Sequence, residues 1–305
     1  MTPHSIETSR HLAPGAKTEL RELGSGTQLS DQALALVVNA PEDARETDTA
    51  QEKSDGLFLV ARDGNGGLHA AGVVDTRMDP PVAEFVADLG VDNPVDWVQL
   101  VFDELANNPP APSVVTWDHG ADTATGRLAQ ARGWPVARQL VIMEKPLNDQ
   151  IEQSKVPDGW QLRSFSPETD EDTWLDLNRQ AFADLPDQAA WTVDDLRARY
   201  QEDWFNEDGF LLLFDREGTL RGAHWTKQEG AVGEVYVLAV APGSEGLGLG
   251  ALLTNAGLSQ LADEGAIKVQ LYVDAKNVKA LALYRKLGFT ELARDTQYLA
   301  GLGHV

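Results

Sequence analysis

The chain has 305 residues, 42% hydrophobic and 24% charged, room for two domains and too apolar for a wholly disordered chain. Its 25 basic and 48 acidic residues leave a net charge of −23, which repels phosphate backbones and argues against nucleic-acid or anionic-membrane partners. Cysteine is absent, which excludes a disulfide framework, a thiolate metal site and a cysteine nucleophile, and fits a cytoplasmic location.

The first twenty residues, MTPHSIETSRHLAPGAKTEL, carry no apolar segment of the secretory kind and read as a polar, flexible lead-in. Residues 57–77, LFLVARDGNGGLHAAGVVDTR, form an apolar run, an Asp/Gly turn and a second run, the signature of a β-hairpin. A third run follows at 83–90, then a strand at 114–117 and a helix ending in Gly133-Trp134. The polar segment 146–159 reads as a linker, and the chain divides near residue 150. The same series then recurs: a hairpin at 210–230, a run at 233–240, a strand at 269–273 and a helix ending in Gly288-Phe289. Ahead of it stand a strand at 159–165 and helices at 170–182 and 191–204, the latter opened by Trp191, Thr192 and an acidic first turn. The simplest account is two copies of one α/β unit, 1–150 and 151–305, each with a mixed sheet flanked by helices.

The most informative stretch runs from Glu234 to Gly265. The strand EVYVLAV enters Ala241-Pro242-Gly243-Ser244-Glu245-Gly246-Leu247-Gly248-Leu249-Gly250, and an amphipathic helix follows to Asp263. Strand, glycine loop and helix form an anion cradle, in which backbone N–H groups and the helix dipole act regardless of the negative net charge. The Lys of a nucleoside-triphosphate loop is absent, and the glycine spacing is not that of a dinucleotide fold. The six histidines, His4, His11, His69, His119, His224 and His304, show no ligand spacing, so no metal is expected.

Val240-Ala241-Pro242, the loop Gly246-Leu247-Gly248-Leu249-Gly250, and Asn277, Ala280, Tyr284, Gly288 and Phe289 together resemble the GNAT superfamily of acetyl-CoA-dependent N-acetyltransferases. Its motifs are Val-x-Pro-x-x-Gln/Arg-Gly-x-Gly-x-Gly/Ala and Asn-x-x-Ala-x-x-x-Tyr-x-x-x-Gly-Phe. The second half is further similar to a tandem-domain branch that acetylates the cysteinyl amine of Cys-GlcN-Ins, a thiol-bearing sugar–inositol pseudodisaccharide. Ala181-Phe182, Trp191-Thr192, His224 to Lys227, Gly233 to Val237, Leu271 to Val273 and Asn277-Val278 carry that likeness. The resemblance implies two tandem GNAT-type domains in a monomer with acetyl-CoA as co-substrate. It makes Glu234 the general base and Tyr284 the general acid. Acetyl-CoA would lie along Leu238, Ala239 and Val240, on Glu245, Gly246, Leu247, Gly248, Leu249, Gly250 and Ala251, and against Asn277, Val278, Lys279, Ala280, Leu281 and Ala282. In this family the strand splays here, often at a bulge, freeing N–H groups for the thioester carbonyl. The acceptor would meet Asp187, Lys227, Glu234 and Tyr272. One position departs from the pattern: Glu245 replaces the Gln or Arg beside the pyrophosphate, and Lys276, Lys279, Arg285 and Lys286 are candidates to offset it.

The first half lacks the glycine loop, and Ala129 stands where Tyr284 stands, so it reads as a degenerate copy in which Glu84 parallels Glu234. Residual cofactor binding at Phe85 to Ala87 and an acceptor contact within Glu42 to Glu52 remain open. So do a GNAT enzyme for another small amine or a protein N-terminus, and a non-catalytic CoA-binding sensor.

Overall fold

The computed structural model describes residues 5–10, 12, 14–24, 29, 33, 36–37, 56–120, 122–147, 151, 155–167, 169–244 and 246–302. They form two compact units, one made of 1–140 with 293–305 and the other of 141–292. The segment Glu42 to Glu52 and Glu245 lie outside the described residues.

In the first unit the strands are β1 (Ser5–Ser9), β2 (Gly56–Arg62), β3 (Leu68–Asp75), β4 (Val82–Ala87) and β5 (Ser113–His119). Strand β12 (Thr290–Gly301) pairs antiparallel with β5 from Asp295↔His119 to Gly301↔Ser113. Helices α1 (Pro14–Gly24), α2 (Pro94–Asn107) and α3 (Ala124–Arg132) accompany this sheet. Along β2, Leu57, Leu59 and Ala61 pack with α2, while Phe58 and Val60 pack with Leu12 and Leu20. A strand that buries both faces reads as a continuous apolar run, which is why the hairpin stands out in the sequence. The polar lead-in was misleading. Ser5–Ser9 is an edge strand registered on β2, and Leu12, Ala16 and Leu20, four apart, form one buried stripe into α1. A three-residue stripe on a polar background leaves little compositional trace.

The second unit holds residues 141–146 of β6 (Val136–Pro146), then β7 (Gln161–Ser164), α4 (Glu171–Ala181), α5 (Pro186–Ala189) and α6 (Val193–Arg199). After these come β8 (Phe210–Phe214), β9 (Leu220–Glu229), β10 (Val232–Val240), α7 (Leu249–Asp263), β11 (Lys268–Asp274) and α8 (Val278–Lys286). Its sheet order is β7-β8-β9-β10-β11-β6. Helix α6 starts on a capping box: the Asp195 N–H donates to the Thr192 hydroxyl at 3.2 Å and the Thr192 N–H to the Asp195 carboxylate at 2.8 Å. The division differs from a cut at residue 150, because each unit takes its last strand from the other half of the sequence.

Repetition extends to details of geometry. In the β2–β3 turn, Asp63 Oδ1 accepts from the N–H groups of Asn65 and Gly67; in the β8–β9 turn, Asp215 Oδ1 accepts from those of Glu217 and Thr219. Helices α3 and α8 end alike, Trp134 N–H donating to Ala129 O and Phe289 N–H to Tyr284 O, both at 3.0 Å. The parallel pair β4/β5 covers Val82 to Glu84, and β10/β11 covers Val232 to Glu234.

Candidate active site: an opened strand beside a glycine loop

Strand β10 is paired with β9 along its whole length but with β11 only at Val232, Gly233 and Glu234. From residue 235 onward, its edge toward β11 carries no ladder pairing. A bulge between Val235 and Val237 adds Tyr236 to the strand and shifts the register against β9. Consequently Val237 and Ala239 turn to the cluster around Trp225, while Leu238 joins the opposite one under α7. The expected splay thus begins directly after Glu234 and leaves the Leu238–Val240 backbone lining the gap.

Past the strand, Gly243, Gly246 and Gly248 have φ of 82°, 80° and 75°. A side chain at any of the three would meet open space, so backbone conformation and not crowding calls for glycine there. Gly248 is the N-cap of α7, whose first turn holds no acidic residue, so its N–H groups and positive dipole end face the opening. The fit to a diphosphate-bearing group is therefore good: bare backbone donors, a favourable dipole and free space. Leu249 is itself 2% exposed and packs inward. Leu247 is 61% exposed at the rim.

Two contacts fix α7 against the strands. His224 on β9, opposite Leu238, is fully buried, and its Nδ1 donates to the Leu253 carbonyl at 2.7 Å. Burial pushes the imidazole down to about 4, so it stays neutral at physiological pH. Gly257 lies against the same ring, where a Cβ would collide with His224 Cε1 and Nδ1.

Helix α8 begins on Asn277, whose Oδ1 accepts from the Ala280 N–H at 3.0 Å, so the side chain expected on the cofactor also caps the helix. Val278, Lys279 and Ala282 are exposed, whereas Leu281 is buried and has only its backbone to offer. Leu283 packs over Gly250, with 3.0 Å between Leu283 Cδ2 and the place of a Cβ, which brings α8 onto the first turn of α7. Tyr284 is 6% exposed, sits edge-to-face on Phe289 at 5.6 Å and shares a cluster with Leu238. Burial raises its phenol well above the ordinary tyrosine range, so it keeps its proton at neutral pH.

Three of the residues expected to meet the acceptor, Lys227, Glu234 and Tyr272, lie on the other face of the sheet. Glu234 stands opposite Lys227 of β9 and Gln270 of β11, and Tyr272, 51% exposed, lies two residues beyond Gln270 on the same side. The Lys227 ammonium lies 5.5 Å from the centre of the Trp204 ring, and Trp204 is 5.0 Å from Tyr236. Behind them, Trp225 stacks on Phe210 at 4.3 Å and meets Trp174 edge-on at 5.8 Å. Glu171 of α4 binds Arg197 of α6 at 3.0 and 2.7 Å and accepts from the Tyr200 hydroxyl, tying the covering helices together. Asp187 is on α5, and its side chain lies outside what the structure describes. Sequence reading does not single out Trp204 or Gln270, which lie beside these residues, because a lone aromatic or amide in an amphipathic element looks like packing or surface.

The first unit opens its strands at the matching point, after Glu84, but fills the place differently. His119 reaches Glu84 at 3.5 Å and Asp295 at 2.9 Å. Burial works against the imidazolium, but hydrogen bonds and charge from Asp295 and Glu84 outweigh it and raise the group to about 10. Strand β4 pairs with β3 without a register shift, and α2 starts at Asn93 and Pro94 in place of a glycine loop.

Among the described residues, no group of three or more His, Cys, Asp or Glu could hold a metal ion, and no helix is long and apolar enough to cross a membrane. The acetyltransferase (GNAT) family profile matches residues 171–289, the part that carries the opened strand and both helix N-termini. A tandem GNAT protein from the clavulanic acid biosynthesis pathway superposes with a TM-score of 0.70 at 15% identity, covering 99% of this chain and 100% of its own. A GCN5-related N-acetyltransferase from Sphaerobacter thermophilus gives 0.68 at 18%, covering 100% and 98%. At those identities the likeness concerns the fold. The mycothiol acetyltransferase of Thermobispora bispora is 46% identical over 60% of this chain, a match that spans 64% of the relative's length. That of Paenarthrobacter aurescens is 37% identical over 272 residues, 87% of this chain and 80% of the relative. Sustained over four-fifths of that relative and on a tandem GNAT fold, this identity shows that the chain belongs to the mycothiol acetyltransferase family.

Proposed function

We propose that the protein transfers an acetyl group from acetyl-CoA to the cysteinyl amine of Cys-GlcN-Ins, and that the second unit holds the reaction. The observation that carries this reading is the placement of Glu234. It is the last residue of β10 paired to β11, so it sits where the sheet opens, with the glycine loop beyond it and Lys227 and Tyr272 on its own face.

Acetyl-CoA would lay its pantetheine arm along the open Leu238–Val240 edge and its pyrophosphate on the Gly246–Ala251 turn at the head of α7. It supplies the activated acyl carbon; the chain supplies the rest. An α-amine with a pKa near 8 is mostly ammonium at neutral pH and must lose a proton before it can attack. Glu234 accepts that proton. The backbone N–H of Leu238 or Val240, on the stretch of β10 that opens away from β11, stabilises the carbonyl oxygen as negative charge builds on it. Tyr284, kept protonated by burial, gives its proton to the departing thiolate. Lys227 and Tyr272 offer a charge and a hydroxyl to the polyhydroxylated acceptor, with Asp187 completing the set.

The first unit serves as a structural copy: its Glu84 is held in an ion pair with His119, and the loop and the bulge of the second unit have no counterpart. Mass spectrometry of purified protein with acetyl-CoA and a panel of amines tests the whole reading. A gain of one acetyl group on the amine of Cys-GlcN-Ins, absent from its cysteine-free analogue and from peptides, is the expected result. Acetylation of a peptide or another amine alone would discard the acceptor and keep the fold.

A further inference from the structure

Between the two acceptor-face residues Glu234 and Tyr272 lies a third side chain, Gln270. It is the register partner of Glu234 across the β10/β11 pair and is two residues before Tyr272 on the same side of β11. Its Nε2 donates to Glu144 Oε2 at 2.8 Å, and the same oxygen accepts from Lys268 Nζ, also at 2.8 Å. Both strands belong to the second unit.

The chemistry of this triad fixes the amide. A carboxylate only accepts, so Glu144 requires the NH₂ end of Gln270 to face it. Lys268 and Gln270, donating in that order of weight, hold the Glu144 carboxyl below its ordinary range and so keep it an acceptor. The amide oxygen then points away from Glu144. A glutamine free to flip would present donor and acceptor indifferently, whereas this one offers an oxygen. In the first unit the matching position is Trp117, stacked 6.1 Å from His119, so the amide belongs to the second unit only.

We infer that Gln270 is a specificity-determining residue for the acceptor: its carbonyl oxygen, oriented by Glu144, accepts a hydrogen bond from a hydroxyl or from the ammonium of the bound pseudodisaccharide beside Glu234. This rests on the acceptor proposed above. Glu144 acts through Gln270 and is a positioning residue.

The test measures equilibrium binding of Cys-GlcN-Ins to CoA-saturated protein, together with steady-state kinetics, for wild type, Gln270→Ala, Gln270→Glu and Glu144→Gln. Gln270→Ala is expected to weaken acceptor binding and raise its KM about tenfold, with kcat and the KM for acetyl-CoA unchanged, the latter serving as the check on folding. Glu144→Gln, which lets the amide turn over, should raise the acceptor KM by a smaller factor. Gln270→Glu sets a second carboxylate beside Glu234 and should move the acid limb of the kcat/KM profile to higher pH, a change that a side chain pointing elsewhere would not cause. Wild-type binding that Gln270→Ala leaves intact overturns this inference alone. Absence of wild-type binding overturns the functional reading and this inference with it.

Discussion

In the proposed reaction, environment divides the proton traffic between Glu234 and Tyr284. Glu234 is half-buried at the mouth of the opened sheet, while Tyr284 lies within the apolar cluster under α8. Glu234→Gln is expected to lower kcat by about 10²–10⁴-fold, with acetyl-CoA binding intact, and Tyr284→Phe to lower it less steeply; Glu84→Gln should leave turnover unchanged. Stopped assays across a pH series check all three. Two histidines set opposite pH limits on stability. His119 holds its proton up to about 10 in the folded chain against an ordinary 6.5, so its contribution is complete below pH 6.5 and fades as pH rises toward 10. His224 stays neutral down to about 4, so its contribution is complete above pH 6.5 and falls as pH drops toward 4. Thermal melts from pH 4 to 10 should show His119→Gln flattening the alkaline decline and His224→Gln the acid one. Tyr284 is legible as a candidate because it falls in a spaced motif, whereas Glu234, outside both motifs, is a candidate only by resemblance. The ion pair of His119 with Asp295 is not legible in the sequence, since its partners stand 176 residues apart.

At the scale of elements, α7 is the part on which the proposed cofactor binding depends. Its N-terminus is set by Gly248 in a left-handed conformation, and its underside is fitted to β9 through the Leu253 carbonyl and Gly257. Gly257→Ala puts a methyl group into the His224 ring with no space to yield. It should destabilise the protein by about 1–3 kcal/mol and weaken acetyl-CoA binding with it. Denaturant titration and calorimetry read the two effects; an unchanged midpoint would refute the close packing. The strand–loop–helix order was readable because glycine spacing and helical periodicity are local signals. The bulge at Tyr236 was expected only by resemblance, as an extra residue in a strand changes no composition and breaks no apolar run.

For the whole molecule, repetition was the readable feature, and it reaches as far as two matching aspartate turns and two helix ends. The boundary was not readable. The alternation in VARQLVIMEKP and TELARDTQYLAG identifies strands but does not say which neighbour each one joins. A fragment ending at residue 150 therefore lacks the strand that pairs with β5. It should aggregate or give a poorly dispersed amide spectrum, whereas adding a peptide of residues 290–302 should restore a cooperative melt. A fragment that melts cooperatively without the peptide would refute this.

That strand is also made long after its partner. Ser113–His119 leaves the ribosome long before Thr290–Gly301, with the whole of the second unit synthesised in between. At about 5–20 residues per second, the β5 edge stands open on the nascent chain for roughly 10–30 s. The first unit therefore closes only after the second has been synthesised, and its charged lock between His119 and Asp295 cannot form before residue 295 is made.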